Sequence, residues 1–290
     1  MELAGHTCIG FCEWDKYATM SYTSMHLLTD EQRNYLSTLS LKDRQKEILK
    51  EEYRNGEWYS NDIRHVRGSD VPRADCWIFG APCQDFSNVG NRRGLEGDRS
   101  SLIKCIFGML REIRECDRPE WLIYENVVGM LSCNRGFDFF AILLEFWEIG
   151  YDIEWSIFNT KDFGIPQNRE RVYTIGHLRS RGEKRILFDK ETVEYFDTQN
   201  RRICKDNKTV VSSTLLANYP YNINGTFIDD EKGIRPFTPL ECFRLQGWSD
   251  EYFDRAKFVN TNRQLYKQAG NGISVPVVEF LGNRMKEVSK

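Results

Sequence analysis

Short apolar runs that stop abruptly at polar residues recur along the chain, and between them apolar positions fall at helical spacing. Residues 6–12 (HTCIGFC) read as a short buried strand ending at the acidic Glu13. Residues 76–82 (CWIFGAP) and 121–127 (WLIYENV) have the same form, that of buried strands in a parallel sheet. Between these two, Leu102, Ile106, Met109, Leu110 and Ile113 mark one helix within residues 100–115, and residues 137–149 supply another. Strands alternating with helices predict an α/β, doubly wound sheet. Ligands in such sheets bind at the carboxyl ends of the strands, where Glu13, Pro82-Cys83 and Glu125-Asn126 all fall. The strand ends thus point at one crevice.

Other stretches modify this frame. Residues 29–56 are heavily charged and helical in pattern, with Thr29 and Gln32 forming a capping box, and read as a surface insertion. From residue 179 to 260 the alternation fades, Asn, Asp and Gly increase, and short β-like pieces appear (KTVVSSTLL, GTFI), which predicts a small β-rich domain. The tail, 265–285, returns to an apolar helical pattern and is expected to rejoin the larger domain. The predicted division is a catalytic and cofactor-binding part over 1–178, a small domain over 179–260, and a returning helix in 261–290.

Composition excludes several classes. With 290 residues and 40% hydrophobic content the chain is long enough for one large and one small domain. No run approaches the roughly 20 apolar residues of a membrane span, and the first residues lack a signal peptide's basic and apolar regions, so a cytoplasmic address is expected. The nine cysteines are odd in number and include no C-x-x-C pair, which argues against a disulfide framework or a metal site and predicts mostly small buried thiols. The net charge of −3 carries no sign of nucleic-acid binding. Basic residues do gather locally at Arg169, Arg171, Arg179, Arg181, Lys184 and Arg185, but such a run is usually a solvated face and is weak evidence of phosphate contact.

Two strand-end residues carry candidate chemistry. Cys83 sits in G-A-P-C-Q-D-F-S, where Pro82 fixes the backbone and Gly80 allows close approach. A lone cysteine usually packs, but one at the tip of a parallel strand is well placed for attack. Glu125 in E-N-V is either a polar exit from the sheet or the general acid that a cysteine nucleophile in the same crevice would use.

In combination these motifs resemble those of the DNA cytosine-5 methyltransferases. G-x-P-C-Q-x-F-S stands at 80–87, E-N-V at 125–127, and Q-x-R-x-R at Gln167, Arg169 and Arg171. R-x-F-T-P-L-E-C-F-R-L-Q-G-W follows at 235–248 and Y-K-Q-A-G-N at 266–271, all in the family's order. The resemblance implies a Rossmann-like, S-adenosylmethionine-dependent methyltransferase fold with a target-recognition domain, acting on a flipped-out cytosine of double-stranded DNA. It implies Cys83 as nucleophile, Glu125 as acid toward N3, Asn126 as support of the Glu125 loop, and Arg171 with Arg169 at the O2 side of the base and the nearby phosphate. For S-adenosylmethionine it implies Glu13 on the ribose, Trp14 against the adenine, Asp62 and Ile63 on the adenine edge, and Pro82, Leu102 and Asn271 completing the set. Gln84, Ser87 and Arg99, in the loop after Cys83, would meet DNA. A restriction-modification or phage-protection setting goes with this reading.

The chain departs from the family at its start. The opening strand and F-x-G-x-G-G loop, expected ahead of Glu2, do not stand in the sequence, so a central strand between 6–12 and 76–80 is expected to be missing, with weak cofactor binding and low stability as consequences, unless a second chain supplies the piece. The segment from 180 to 234, about 55 residues, is lean for reading bases in the major groove. Two alternatives therefore stand beside the main reading: a tRNA cytosine-5 methyltransferase, although that branch's Cys-Phe-Thr tripeptide is absent, and a non-catalytic DNA-binding remnant.

Overall fold

The computed structural model describes residues 1–80, 102–187, 211–220, 227–230 and 233–289. Its strands are β1 (Gly10–Cys12), β2 (Trp58–Ser60), β3 (Cys76–Gly80), β4 (Trp121–Val127), β5 (Tyr151–Asn159), β6 (Gln167–Asn168), β7 (Glu170–Leu178), β8 (Ser212–Ser213), β9 (Phe227–Asp230) and β10 (Gly233–Pro236). The longer helices are α1 (Lys16–Tyr22), α2 (Asp30–Ser37), α3 (Leu41–Glu47), α4 (Leu102–Glu112), α5 (Phe137–Ile149), α6 (Pro239–Arg244), α7 (Asp250–Lys257), α8 (Asn262–Asn271) and α9 (Val275–Val288).

The main sheet runs β3-β4-β7-β5. β3 and β4 are parallel, in register from Cys76↔Trp121 to Gly80↔Glu125. β7 lies antiparallel to both β4 and β5, so this sheet is mixed rather than purely parallel. On one face α4 and α5 cover it through Ile103, Phe107, Leu110, Phe139, Ile142 and Phe146. On the other, α9 packs Val277, Leu281 and Met285 against Trp121, Ile123, Phe158 and Tyr173. The expected helix-sheet-helix sandwich is present. β1 and β2 pair in parallel as a two-stranded sheet apart from the main one.

The Thr29–Gln32 capping box forms as expected and opens α2. The helical stretch then divides, because Ser40 caps a second start by accepting from the Asp43 amide. It is more than a surface insertion: Leu36, Ile48 and Tyr53 form a buried cluster with Met20 and Val259. The β-rich reading holds for the β9–β10 hairpin, whereas residues 239–257 turn helical behind a Thr238 and Glu241 capping box with Pro239 at the first turn. The tail is likewise two helices, α8 and α9, separated around Gly272 and restarted with Pro276 in the first turn. Burial is the fate of only Cys133 and Cys242 among the described cysteines; Cys8 and Cys116 are exposed, and none of the described cysteines is in a disulfide. No described helix is long and apolar enough to cross a membrane, and no group of metal-ligating side chains is found among the described residues.

α8 is locked to the segment after β8 by one close approach. A Cβ built on Gly270 would lie 2.4 Å from the Leu216 carbonyl carbon and 2.4 Å from the Ala217 amide nitrogen. Backbone on both sides cannot yield as a side chain would. Gly270→Ala is therefore expected to cost about 1–3 kcal/mol, as overpacking does, read as a lowered urea midpoint at unchanged slope.

Candidate active site

The carboxyl end of β4 and the start of β7 meet in antiparallel register, Glu125 facing Tyr173 and Val127 facing Arg171. This brings two side chains 46 residues apart in sequence into an ion pair: Arg171 Nε lies 3.2 Å from Glu125 Oε1, each side chain only 14% exposed. Burial pushes the Glu125 carboxyl above its ordinary value, opposed by the nearby charges of Arg171 and Arg169. The carboxyl also reaches across to β3. Its Oε2 would lie 3.4 Å from a Cβ at Gly80, so glycine there leaves room for it.

Arg171 of this pair also borders a cavity of about 250 Å³, lined besides by Val127, Val128, Gly129, Asn168, Glu170 and Thr214. Thr214 arrives through the parallel pairing of β6 and β8, and its hydroxyl donates to the Asn168 carbonyl at 2.7 Å. Sequence reasoning did not single out Thr214 or Asn168. The only trace was the β-like character of KTVVSSTLL, which says nothing of where that piece docks.

Asn126 is buried and braces the strand end from within. Its side-chain amide donates to the Tyr124 hydroxyl at 2.7 Å, and its Oδ1 accepts from the Val127 amide at 2.8 Å. Arg169 is directed elsewhere than its neighbour two residues on. It is 2% exposed and donates to the carbonyls of Leu215 (3.4 Å), Gly270 (3.2 Å) and Gly272 (2.9 Å). A buried guanidinium that donates to carbonyls of two other segments is a tie between them. Its influence on the site reaches Glu125 through its charge.

A second group of predicted residues gathers at the ends of β1 and β2. These strands are parallel neighbours, with Cys12 beside Ser60, and the Glu13 amide donates to the Ser60 carbonyl at 3.0 Å. Glu13 accepts from the Asp15 amide at 2.7 Å, and burial raises its pKa. Asp62 is 7% exposed, and two-pronged hydrogen bonding from Arg64 holds its carboxyl down to about 2. The Trp14 indole is 71% exposed, with the Arg64 guanidinium 5.1 Å above its ring. Ile63 begins the short helical turn that carries Arg64 and packs beside α4, which Leu102 opens. Asn271 ends α8 and is exposed; the same helix sends Lys267 to Asp15 at 2.5 Å.

Trp14 and Asp62 thus already hold a flat group rich in N–H donors between an aromatic face and a carboxylate. Adenine is likewise flat and carries one amino group that a carboxylate can accept from, so Trp14 and Asp62 fit the adenosine half of S-adenosylmethionine. Pro82, Cys83, Gln84, Ser87 and Arg99 lie outside the described residues.

Comparison with known proteins places this geometry in a family. The model of the C-5 cytosine-specific DNA methylase family matches residues 38–227 and 187–287. Type II methyltransferase M2.ScrFI of Lactococcus lactis subsp. cremoris is 30% identical, over 95% of this chain and 91% of its own length. Type II methyltransferase M.BsuFI of Bacillus subtilis is 29% identical, over 97% of this chain and 67% of its own. Among solved structures, S. pombe Dnmt2 methyltransferase shares the fold at TM-score 0.69 and 18% identity, covering 100% of this chain and 94% of that one. Entamoeba histolytica methyltransferase EhMeth does so at 0.62 and 16%, covering 98% and 100%.

Proposed function

This chain belongs to the C-5 cytosine-specific DNA methylase family and is a DNA cytosine-5 methyltransferase, and we propose that it works through a covalent bond between Cys83 and C6 of a cytosine turned out of the duplex. The observation that carries the proposal is the buried Glu125 carboxyl, raised in pKa, paired with Arg171 beside the cavity and next to Gly80. Cys83 follows Gly80 by three residues, so chain length alone keeps it within about 10 Å of the strand end where Glu125 stands.

Cytosine C5 is a poor nucleophile until a group adds at C6. The Cys83 thiolate gives its electron pair to C6, and the protonated Glu125 donates to N3, which leaves C5 with the electron density of an enamine carbon, ready for a methyl group. S-adenosylmethionine, when bound, supplies that methyl group on a sulfonium. Loss of the C5 proton then restores the C5–C6 double bond and releases the Cys83 thiolate. Arg171 is suited to the O2 side of the base and the adjacent phosphate; Arg169 holds the surrounding segments together; Asn126 steadies the strand end. Glu13, Trp14 and Asp62, with Ile63, Pro82, Leu102 and Asn271 around them, would hold the cofactor. Gln84, Ser87 and Arg99 would contact DNA as the base leaves the stack, at a cost of a few kcal/mol.

Incubation with methyl-labelled S-adenosylmethionine and either duplex DNA or tRNA tests the reading. Label is expected in DNA, as 5-methylcytosine. Label in tRNA alone would overturn the DNA assignment, and label in neither would leave the chain a binding remnant.

A further inference from the structure

Two asparagines beside the cavity settle each other's orientation. Asn159, the last residue of β5, is buried, and its Oδ1 accepts from two backbone amides, those of Lys161 at 3.3 Å and Arg169 at 3.1 Å. A backbone N–H only donates, so the side-chain atom it meets is the oxygen and the remaining one is the amide nitrogen. That nitrogen donates to Asn168 at 2.6 Å, which makes its partner on Asn168 the side-chain oxygen Oδ1. The other acceptor of Asn168, its backbone carbonyl, receives the Thr214 hydroxyl at 2.7 Å. Asn168 is exposed and lines the cavity. What it still has to offer there is its amide nitrogen, with two N–H donors and no acceptor among the described residues.

The chemistry around the cavity selects what those donors meet. In the proposed reaction Glu125 serves N3 of the cytosine and Arg171 its O2, while the N4 amino group is itself a donor. An amide N–H therefore finds no partner left on that edge of the base. A phosphate carries only acceptor oxygens and a full negative charge, and hydrogen bonds to a charged acceptor are about twice as strong as neutral ones. Arg171 already brings a cation to the same cavity, held by its Nε against Glu125 at 3.2 Å. The one acidic residue of the lining, Glu170, is exposed, where water weakens its charge, and its main-chain carbonyl accepts from Arg171 Nη1 at 2.7 Å. Asparagine is among the usual donors to DNA phosphates, contacts that fix the register of a protein without reading sequence.

On the reading of this chain as a methyltransferase that turns cytosine out of the duplex, we propose that Asn168 seats a backbone phosphate adjoining the flipped nucleotide, with Asn159 as the residue that aims it. Asn168→Asp keeps an acceptor for Asn159 and changes only the outward group, so its thermal melt should match the wild type. Binding is measured with a duplex carrying the site that bisulfite sequencing of methylated DNA identifies. Asn168→Asp is expected to bind it at least tenfold more weakly, the worth of one hydrogen bond to a charged group. Asn168→Ala, which removes the same donors without adding charge, should show the loss as well. With a neutral methylphosphonate in place of the phosphate on one side or the other of the target cytosine, wild type and Asn168→Asp should converge at one of the two positions. A wild type that methylates no DNA overturns the functional reading and this assignment with it. An active wild type whose affinity both variants share overturns the assignment alone, and so does a loss that persists on both methylphosphonate duplexes.

Discussion

Cys83→Ala is expected to abolish methyl transfer while leaving DNA affinity within about tenfold of the wild type, because the thiol enters only after the base is bound. The two readouts, product formation and DNA binding, separate chemistry from recognition. DNA carrying 5-fluorocytosine gives a sharper test. Fluorine at C5 cannot leave as a proton does, so the bond from sulfur to C6 should persist as an adduct that survives denaturation. An adduct formed equally by the alanine variant would assign the nucleophile to another residue.

Glu125→Gln should slow the chemical step by roughly 10²-fold or more, the usual contribution of a general acid, when rates are measured in single turnover. An amide retains the size of the carboxyl and one acceptor, but it has no acidic proton to give to N3. The substitution should also change how stability depends on pH. Burial raises the folded pKa of Glu125 above its unfolded value. Its favourable contribution is therefore complete below the unfolded pKa and is lost as pH rises through the folded one. The melting temperature of Glu125→Gln relative to wild type should accordingly climb from acid pH toward neutrality. A flat difference would mean that the carboxyl is not desolvated in the folded chain.

Much of the fold was legible because strong local signals agree with the tertiary structure. Residues 137–149 read as a helix and form Phe137–Ile149, and the Thr29–Gln32 capping box opens a helix as its side chains dictate. The orientation of β7 was not legible: its interior residues from Val172 to Leu178 are all buried, a run that carries no alternation and so no direction. The helices at 239–257 had a start signal, Thr238-Pro239 with Glu241, that the Asn, Asp and Gly content of the surrounding segment obscured. The site divides in the same way. Glu13 and Glu125 could be seen at strand ends from pattern alone, whereas the meeting of Glu125 with Arg171 depends on an antiparallel register that only long-range packing sets. Arg169 and Arg171 look equivalent in sequence, and two residues apart in a regular strand they would share a face; Arg169 instead lies in the break between β6 and β7, which separates a buried tie from a pocket-lining cation.

The tie made by Arg169, together with the contact at Gly270, bears on how such a protein could change its target. Residues 212–217 are strung between the β6 backbone, the Arg169 guanidinium and the surface of α8, with Gln167 Oε1 accepting from the Leu215 amide at 3.4 Å. Sequence specificity is expected to reside between about 180 and 234, since phosphate contacts position a protein without reading bases. A recombination event that imported all of that interval would import the strip with it, and would need a glycine at 270 and a carbonyl in reach of Arg169 to seat it. Exchanges that keep residues 212–217 native and replace only the flanking residues meet no such condition. The exchangeable unit of specificity is thus expected to be smaller than the interval from 180 to 234, with its boundaries set by where the chain is pinned.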